Sequence, residues 1–212
     1  MKSTTLKRTG LVALALTMSI GMAACGSDDS SKDSSTSSAP KAESTPTEEA
    51  AGAPGGEFGP ACGAIPKSGA GSFQGMATAP VATAASANPV LKTLVTAVGA
   101  AGLVDTLNSA PELTVFAPAN DAFGAIPAKD LDALLKDKPA LTKVLTHHVV
   151  AGRIAPEDLA GTHKTLAGDE ITVKGSGEKF TVGDANANVI CGNVQTANAT
   201  VYVIDGVLMP KM

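Results

Sequence analysis

Thr114-Val115-Phe116-Ala117-Pro118-Ala119-Asn120-Asp121-Ala122-Phe123 and, near the C-terminal end, Asn198-Ala199-Thr200-Val201-Tyr202-Val203-Ile204-Asp205-Gly206-Val207-Leu208-Met209-Pro210 decide the reading of this chain. Each opens with β-branched and aromatic residues and stops at a polar turn, the pattern of a buried strand. Between and around them the periodicity changes once, from helical to alternating, so the two blocks bracket a single folded region.

Ahead of the first block, Val90, Leu91, Leu94, Val95 and Val98 recur at helical spacing, with Asn88 placed to cap and Pro89 in the first turn. Leu103, Val104 and Leu107 predict a short second helix before the strand Leu113–Ala117. After that strand, Asp121–Ala125 predicts one helical turn. Pro127 then opens a helix with Leu131, Leu134 and Leu135 inward, and Pro139 opens another with Leu141, Val144, Leu145 and His148 on one face. That face leaves His147 pointing outward. Beyond Gly152 short strands follow: Lys164–Leu166, Ile171–Lys174, Lys179–Val182, Asn188–Cys191 and Thr200–Ile204, with turns at Gly168-Asp169 and Gly175-Ser176-Gly177. Helices first and strands later predict an α+β domain.

The N-terminal end reads as an export signal. Lys2, Lys7 and Arg8 precede an apolar run from Leu11 to Ile20, shorter than the ~20 residues needed to cross a bilayer. Met22-Ala23-Ala24-Cys25 then resembles a bacterial lipobox, which implies cleavage before Cys25 and diacylglycerol on its thiol; ordinary export with cleavage near Ala24 is the other reading. From Gly26 to about Glu57 the residues are Ser, Thr, Ala, Pro, Gly and acids. Such a stretch lacks the apolar surface to offset ~1–2 kcal/mol per residue of ordering entropy, and it reads as a disordered tether. The expected organisation is residues 1–24 as signal peptide, 25–72 as tether and 73–212 as the folded domain.

Little in the domain invites chemistry. Two cysteines remain besides Cys25, and in an exported chain Cys62 and Cys191 read as a disulfide, with a metal or catalytic thiol pair as the alternative. His147-His148 sits on adjacent helical positions about 100° apart, too divergent for one ion, and His148 reads as a partly buried histidine bonded to backbone. No Gly-x-Ser-x-Gly elbow occurs, and Ser86, Ser109 and Ser176 occupy helix or turn positions. Asp121 reads as a helix cap or a surface ligand, Asp205 as a turn former before Gly206, and Asn198-Ala199-Thr200 as a chance glycosylation sequon. The net charge of −4 argues against nucleic-acid binding, and one tyrosine with no tryptophan leaves no stacking platform.

Three segments in order resemble the fasciclin (FAS1) domain family. Thr114–Phe123 is similar to the first family signature with Ala119 at its usual Thr, His147-His148-Val149-Val150 to the Tyr-His-Val-Val segment, and Asn198–Pro210 to the second signature with Tyr202 at a common His position. The likeness spans about Thr78 to Pro210 and is strongest to actinobacterial fasciclin-domain lipoproteins and secreted antigens. It implies two small antiparallel sheets in a wedge-like core flanked by helices. It implies a Cys62–Cys191 disulfide and structural roles for Asn120, Asp121, His148, Asn198 and Asp205. It also implies a non-catalytic, lipid-anchored surface protein that adheres to a cell-surface or matrix protein or glycan, with no cofactor, no metal and no nucleic acid. Animal members bind receptors through an Asp-Ile pair and the Tyr-His segment; Asn193-Val194 and His147 stand there, so integrin binding is not expected. The alternative function is a lipoprotein that carries a small lipid or glycan, which would require a closed apolar cavity of ~300 Å³.

Overall fold

The computed structural model describes residues 56–210. The predicted signal peptide, Cys25 and most of the tether lie outside them. Among the described residues no helix is long and apolar enough to cross a membrane.

The strands β1 (Leu113–Pro118), β2 (Val149–Ala151), β3 (Gly161–Lys164), β4 (Glu170–Ser176), β5 (Lys179–Val182), β6 (Ala187–Gln195) and β7 (Ala199–Ile204) form one sheet in the order β2-β1-β7-β6-β5-β4-β3. Its two ends approach each other. Val150 bridges Thr165, and the Leu166 N–H donates to the Val149 carbonyl at 2.8 Å, so the sheet nearly closes into a barrel. The expectation of two small antiparallel sheets is corrected on two points. There is one mixed sheet, and its centre is parallel: β1 runs alongside β7 from Leu113↔Ala199 to Pro118↔Ile204. The two quoted blocks are therefore neighbours in space.

That central position explains their composition. Every residue of β1 and of β7 is buried, as expected of parallel strands covered on both faces. The pleat divides their side chains between two cores. Phe116, Tyr202 and Ile204 face one cluster with Phe58, Ile171, Val173, Phe180, Val182 and Leu208, while Val115, Ala117, Val201 and Val203 face another against the helices. The aromatic cluster is contiguous: ring centroids of Phe58 and Phe180 lie 5.8 Å apart, and those of Phe116 and Tyr202 lie 5.9 Å apart.

The helical layer consists of α1 (Phe73–Ala77), α2 (Val81–Ala87), α3 (Lys92–Ala101), α4 (Val104–Ser109), α5 (Asn120–Gly124), α6 (Ala128–Lys136) and α7 (Lys138–His147). None exceeds ten residues, a length marginal in isolation, so burial of their apolar faces holds them. Asn88 accepts from the Val90 N–H at 3.1 Å and starts a 3₁₀ turn, Pro89–Leu91, that runs into α3. Gly102, at φ 73°, ends α3 in a left-handed conformation open to glycine. Asp137 caps α7 by accepting from the Ala140 N–H at 3.1 Å.

Packing begins ahead of residue 73, the expected start of the domain. Phe58 exchanges backbone hydrogen bonds with Gly192, its ring enters the barrel core, and Ile65 is buried against the helical layer. Residues 58–72 belong with the domain because Cys62 is disulfide-bonded to Cys191 in β6 and Phe58 covers the adjoining Gly192. A Cβ on Gly192 would lie 2.3 Å from the Phe58 ring, so the close approach requires glycine there.

Candidate functional site

The motif residues are used inside the domain. Asn120 Oδ1 accepts from the Thr93 N–H and hydroxyl at 3.0 and 3.1 Å, and its Nδ2 donates to the Pro89 carbonyl at 2.9 Å, fastening α5 to the start of α3. Asn198 Oδ1 accepts from the Val81 N–H at 2.8 Å, and its Nδ2 donates to the carbonyls of Leu107 and Ala110, each at 2.8 Å. One amide thus joins the start of α2, the end of α4 and the approach to β7. A glycan on that nitrogen is incompatible with these contacts. Asp205 accepts from the Asn188 N–H at 2.6 Å and from its side-chain amide at 2.7 Å, a cross-strand clamp as well as a turn residue. Asp121 makes no capping bond. It is an exposed carboxylate in the first turn of α5, whose cap is Ala119.

His148 is buried, as its spacing predicts. Its Nδ1 donates to the Val144 carbonyl at 2.8 Å, and the Leu208 N–H donates to Nε2 at 2.9 Å. A backbone N–H can only donate, so Nε2 must keep its lone pair and the ring is neutral. Burial lowers the His148 pKa from 6.5 to about 4, the Val144 bond opposing this and neighbouring His147 adding to it. His147 departs from expectation. It lies 7% exposed, and its Nδ1 donates to Asp169 Oδ1 at 2.7 Å. The helix ends at His147, and the hairpin turn carrying Asp169 folds over it, so helical phase no longer sets its direction. Burial pushes the Asp169 carboxyl up, and bonds from the Thr165 hydroxyl and His147 outweigh this, leaving it below the usual carboxylate value.

Sequence reasoning passed over Arg153. Its guanidinium donates to the carbonyls of Thr196, Ala197 and Ala199 and to the Gln195 side chain at 2.8–3.1 Å, locking the β6–β7 turn. A single arginine after Gly152 carries no periodic signal that could have revealed this. Ser86 and Ser109 bond to backbone carbonyls in their own helices, and His163 bonds to Leu159. Among the described residues no three His, Cys, Asp or Glu side chains gather as a metal ion would require.

Two surface features remain. An apolar groove of about 70 Å³ lies between α2, α3, α4 and α7, lined by Val95, Val98, Leu103, Leu107 and Leu145 and rimmed by Val104 and Leu166. Those two rim residues, 37% and 45% exposed, are two of three large apolar residues exposed among the described ones. A second, polar pocket of about 390 Å³ lies beside His147 and Asp169.

A near-barrel whose centre is two signature strands laid parallel, with motif residues serving as internal fasteners, defines a scaffold class of domain. Residues 89–210 match the fasciclin domain family, and the chain belongs to it. It is 50% identical over 160 residues to the immunogenic protein MPB70 of Mycobacterium bovis, covering 72% of this chain and 81% of that protein. It is 51% identical over 147 residues to the cell surface glycolipoprotein MPB83 of the same species, covering 67% and 66%. The FAS1 domain pair of the insect cell adhesion molecule fasciclin I shares the fold, at TM-score 0.51 and 17% identity over 62% of this chain and 51% of that one.

Proposed function

We propose that the protein is an exported, lipid-anchored module that makes protein–protein contact at the cell surface and carries out no reaction. The observation that carries this reading is the engagement of Asn120, His148, Asn198 and Asp205 in internal hydrogen bonds, which makes the residues of the family motifs framework and leaves the function to surface shape. Likeness to a cell surface glycolipoprotein supports export, and Met22-Ala23-Ala24-Cys25 supports acylation of Cys25. Two or more acyl chains hold a protein durably where one does not.

The contact surface in this reading is the groove rimmed by Val104 and Leu166, occupied by an apolar side chain of a partner protein. At about 70 Å³ the groove falls well short of the ~300 Å³ that a carrier of lipid or glycan requires. The test places a photo-crosslinking residue at Val104 or Leu166 on intact cells, with exposed Glu178 in the β4–β5 turn as control. A discrete protein adduct from the groove positions, with none from Glu178, is expected. In parallel, Cys25→Ser should abolish fatty-acid labelling and release the protein to the medium. Equal adducts at all three positions, or membrane retention of the Cys25→Ser protein, refutes the reading.

A further inference from the structure

A pocket of about 290 Å³ opens beside the Cys62–Cys191 disulfide and shares no lining residue with the groove. One wall is the 3₁₀ turn Pro60–Ala64 with Ile65 after it, another is β6 at Ile190 and Cys191, and the start of α5 completes the lining. The disulfide ties the first wall to the second, while Phe58 and buried Ile65 anchor the first wall to the domain. The cleft is therefore preformed, and its volume approaches the lower end of the ~300–1,000 Å³ typical of small-molecule sites.

Asp121 marks this pocket as a site. It makes no capping bond, and among the described residues no hydrogen bond or ion pair engages its carboxylate. Asn120, the other polar side chain of the lining, spends its amide on Thr93 and Pro89. The remaining described lining residues are aliphatic, apart from the bridged Cys191. Val90 and Ile190 are only partly covered by the helical core they pack against, and Asp121 is exposed. The pocket thus sets a free negative charge at the mouth of an aliphatic cleft. It offers no aromatic ring and no second free polar side chain, among the described lining residues, to orient a sugar or a nucleobase.

We propose that this pocket binds an alkylammonium group, its N–H donating to the Asp121 carboxylate and its hydrocarbon body resting against Ile65, Val90 and Ile190. Each half of the ligand supplies what the other lacks. An ion pair with an exposed carboxylate is weak, because water and salt screen it. Aliphatic contact is favourable but does not discriminate by charge. A ligand with both removes apolar surface from water while its N–H groups keep a charged acceptor. An anion meets only repulsion at Asp121. A metal ion needs several converging ligands, and no group of three exists among the described residues. The proposal goes beyond the surface-contact reading and does not depend on it.

The test titrates the full chain, disulfide intact, with cyclohexylmethylammonium and follows side-chain methyl resonances by NMR. Cyclohexylmethanol keeps the body without the charge, methylammonium keeps the charge without the body, and cyclohexanecarboxylate reverses the sign. The amine should bind saturably with Kd on the order of 1 mM, shifting the methyls of Ile65, Val90 and Ile190 and leaving those of Val104 and Leu166 in place. The alcohol should bind about two- to fivefold more weakly, as loss of an exposed ion pair predicts, and the carboxylate more weakly still. Methylammonium should bind at least about tenfold more weakly than the full amine. Asp121→Asn, at an exposed position that makes no bond, should keep the fold and abolish the preference for amine over alcohol. N-acetyl-lysine amide distinguishes the sources: binding as tight as that of the free amine assigns the group to a protein lysine, and weaker binding to a small amine. Absence of saturable binding, equal affinity for amine and alcohol, an undiminished preference in Asp121→Asn, or shifts centred on Val104 and Leu166 overturns the proposal.

Discussion

Replacing Asn198 by Ala tests the claim that one buried amide holds three elements together. The side chain is 9% exposed and makes three bonds of 2.8 Å, accepting from the Val81 N–H and donating to the carbonyls of Leu107 and Ala110. The Val81 donor sits at the start of α2 in a buried setting, and stranding such a group costs about 1–3 kcal/mol. The two carbonyls are partly buried and recover some hydration, so a total loss of about 3 kcal/mol is expected. That corresponds to roughly 6–12 °C in Tm for a domain of this size. Urea unfolding should show a lower midpoint with an unchanged slope. Asn198→Asp sharpens the test. It retains the acceptor for Val81 but turns a negative oxygen toward the Leu107 and Ala110 carbonyls, so at pH 7 it should be at least as destabilising as Ala. A loss below about 1 kcal/mol for Ala, or near-native stability for Asp, refutes the fastening role.

Three further outcomes are expected. His148 binds its proton near pH 6.5 when unfolded and only near 4 when folded, so its contribution is complete above 6.5 and is lost as the pH falls toward 4. About 3 kcal/mol of acid sensitivity, read as the difference between wild type and His148→Gln in urea titrations across that window, should disappear in the variant. Reduction of Cys62–Cys191, which spans a sequence separation of 129, should lower stability by up to about 4–5 kcal/mol, and non-reducing mass spectrometry should find neither cysteine alkylated. Gly192→Ala should cost about 1–3 kcal/mol by displacing the Phe58 ring, and markedly less in a Phe58→Ala background, where a double-mutant cycle reads the coupling.

Strands β1 and β7 were legible because burial on both faces makes them continuous apolar runs, and β5 because its alternation is framed by glycine-containing turns. Their parallel pairing was not, since periodicity reports which face is buried and says nothing of which distant strand lies alongside. Strand β2, three residues long, was too short to show a period. Helices α1 and α2 bury Met76, Val81 and Ala84 among small residues, too weak a stripe to count. Phe58 and Ile65 stand singly in a Gly/Pro/Ala-rich stretch, and their burial depends on partners far away in sequence. At the candidate site, the bonds of His148 followed from helical phase, whereas the His147–Asp169 contact arises where that phase ends and a hairpin turn folds back.

The cross-link between Cys62 and Cys191 also has a mechanical meaning. Tension drawn between the N-terminal side of Cys62 and the last strand, as shear on a displayed protein would create, passes through the sulfur bridge directly into β6. The whole intervening polypeptide, with the hydrophobic groove on it, lies off that load path and keeps its shape while the ends are pulled.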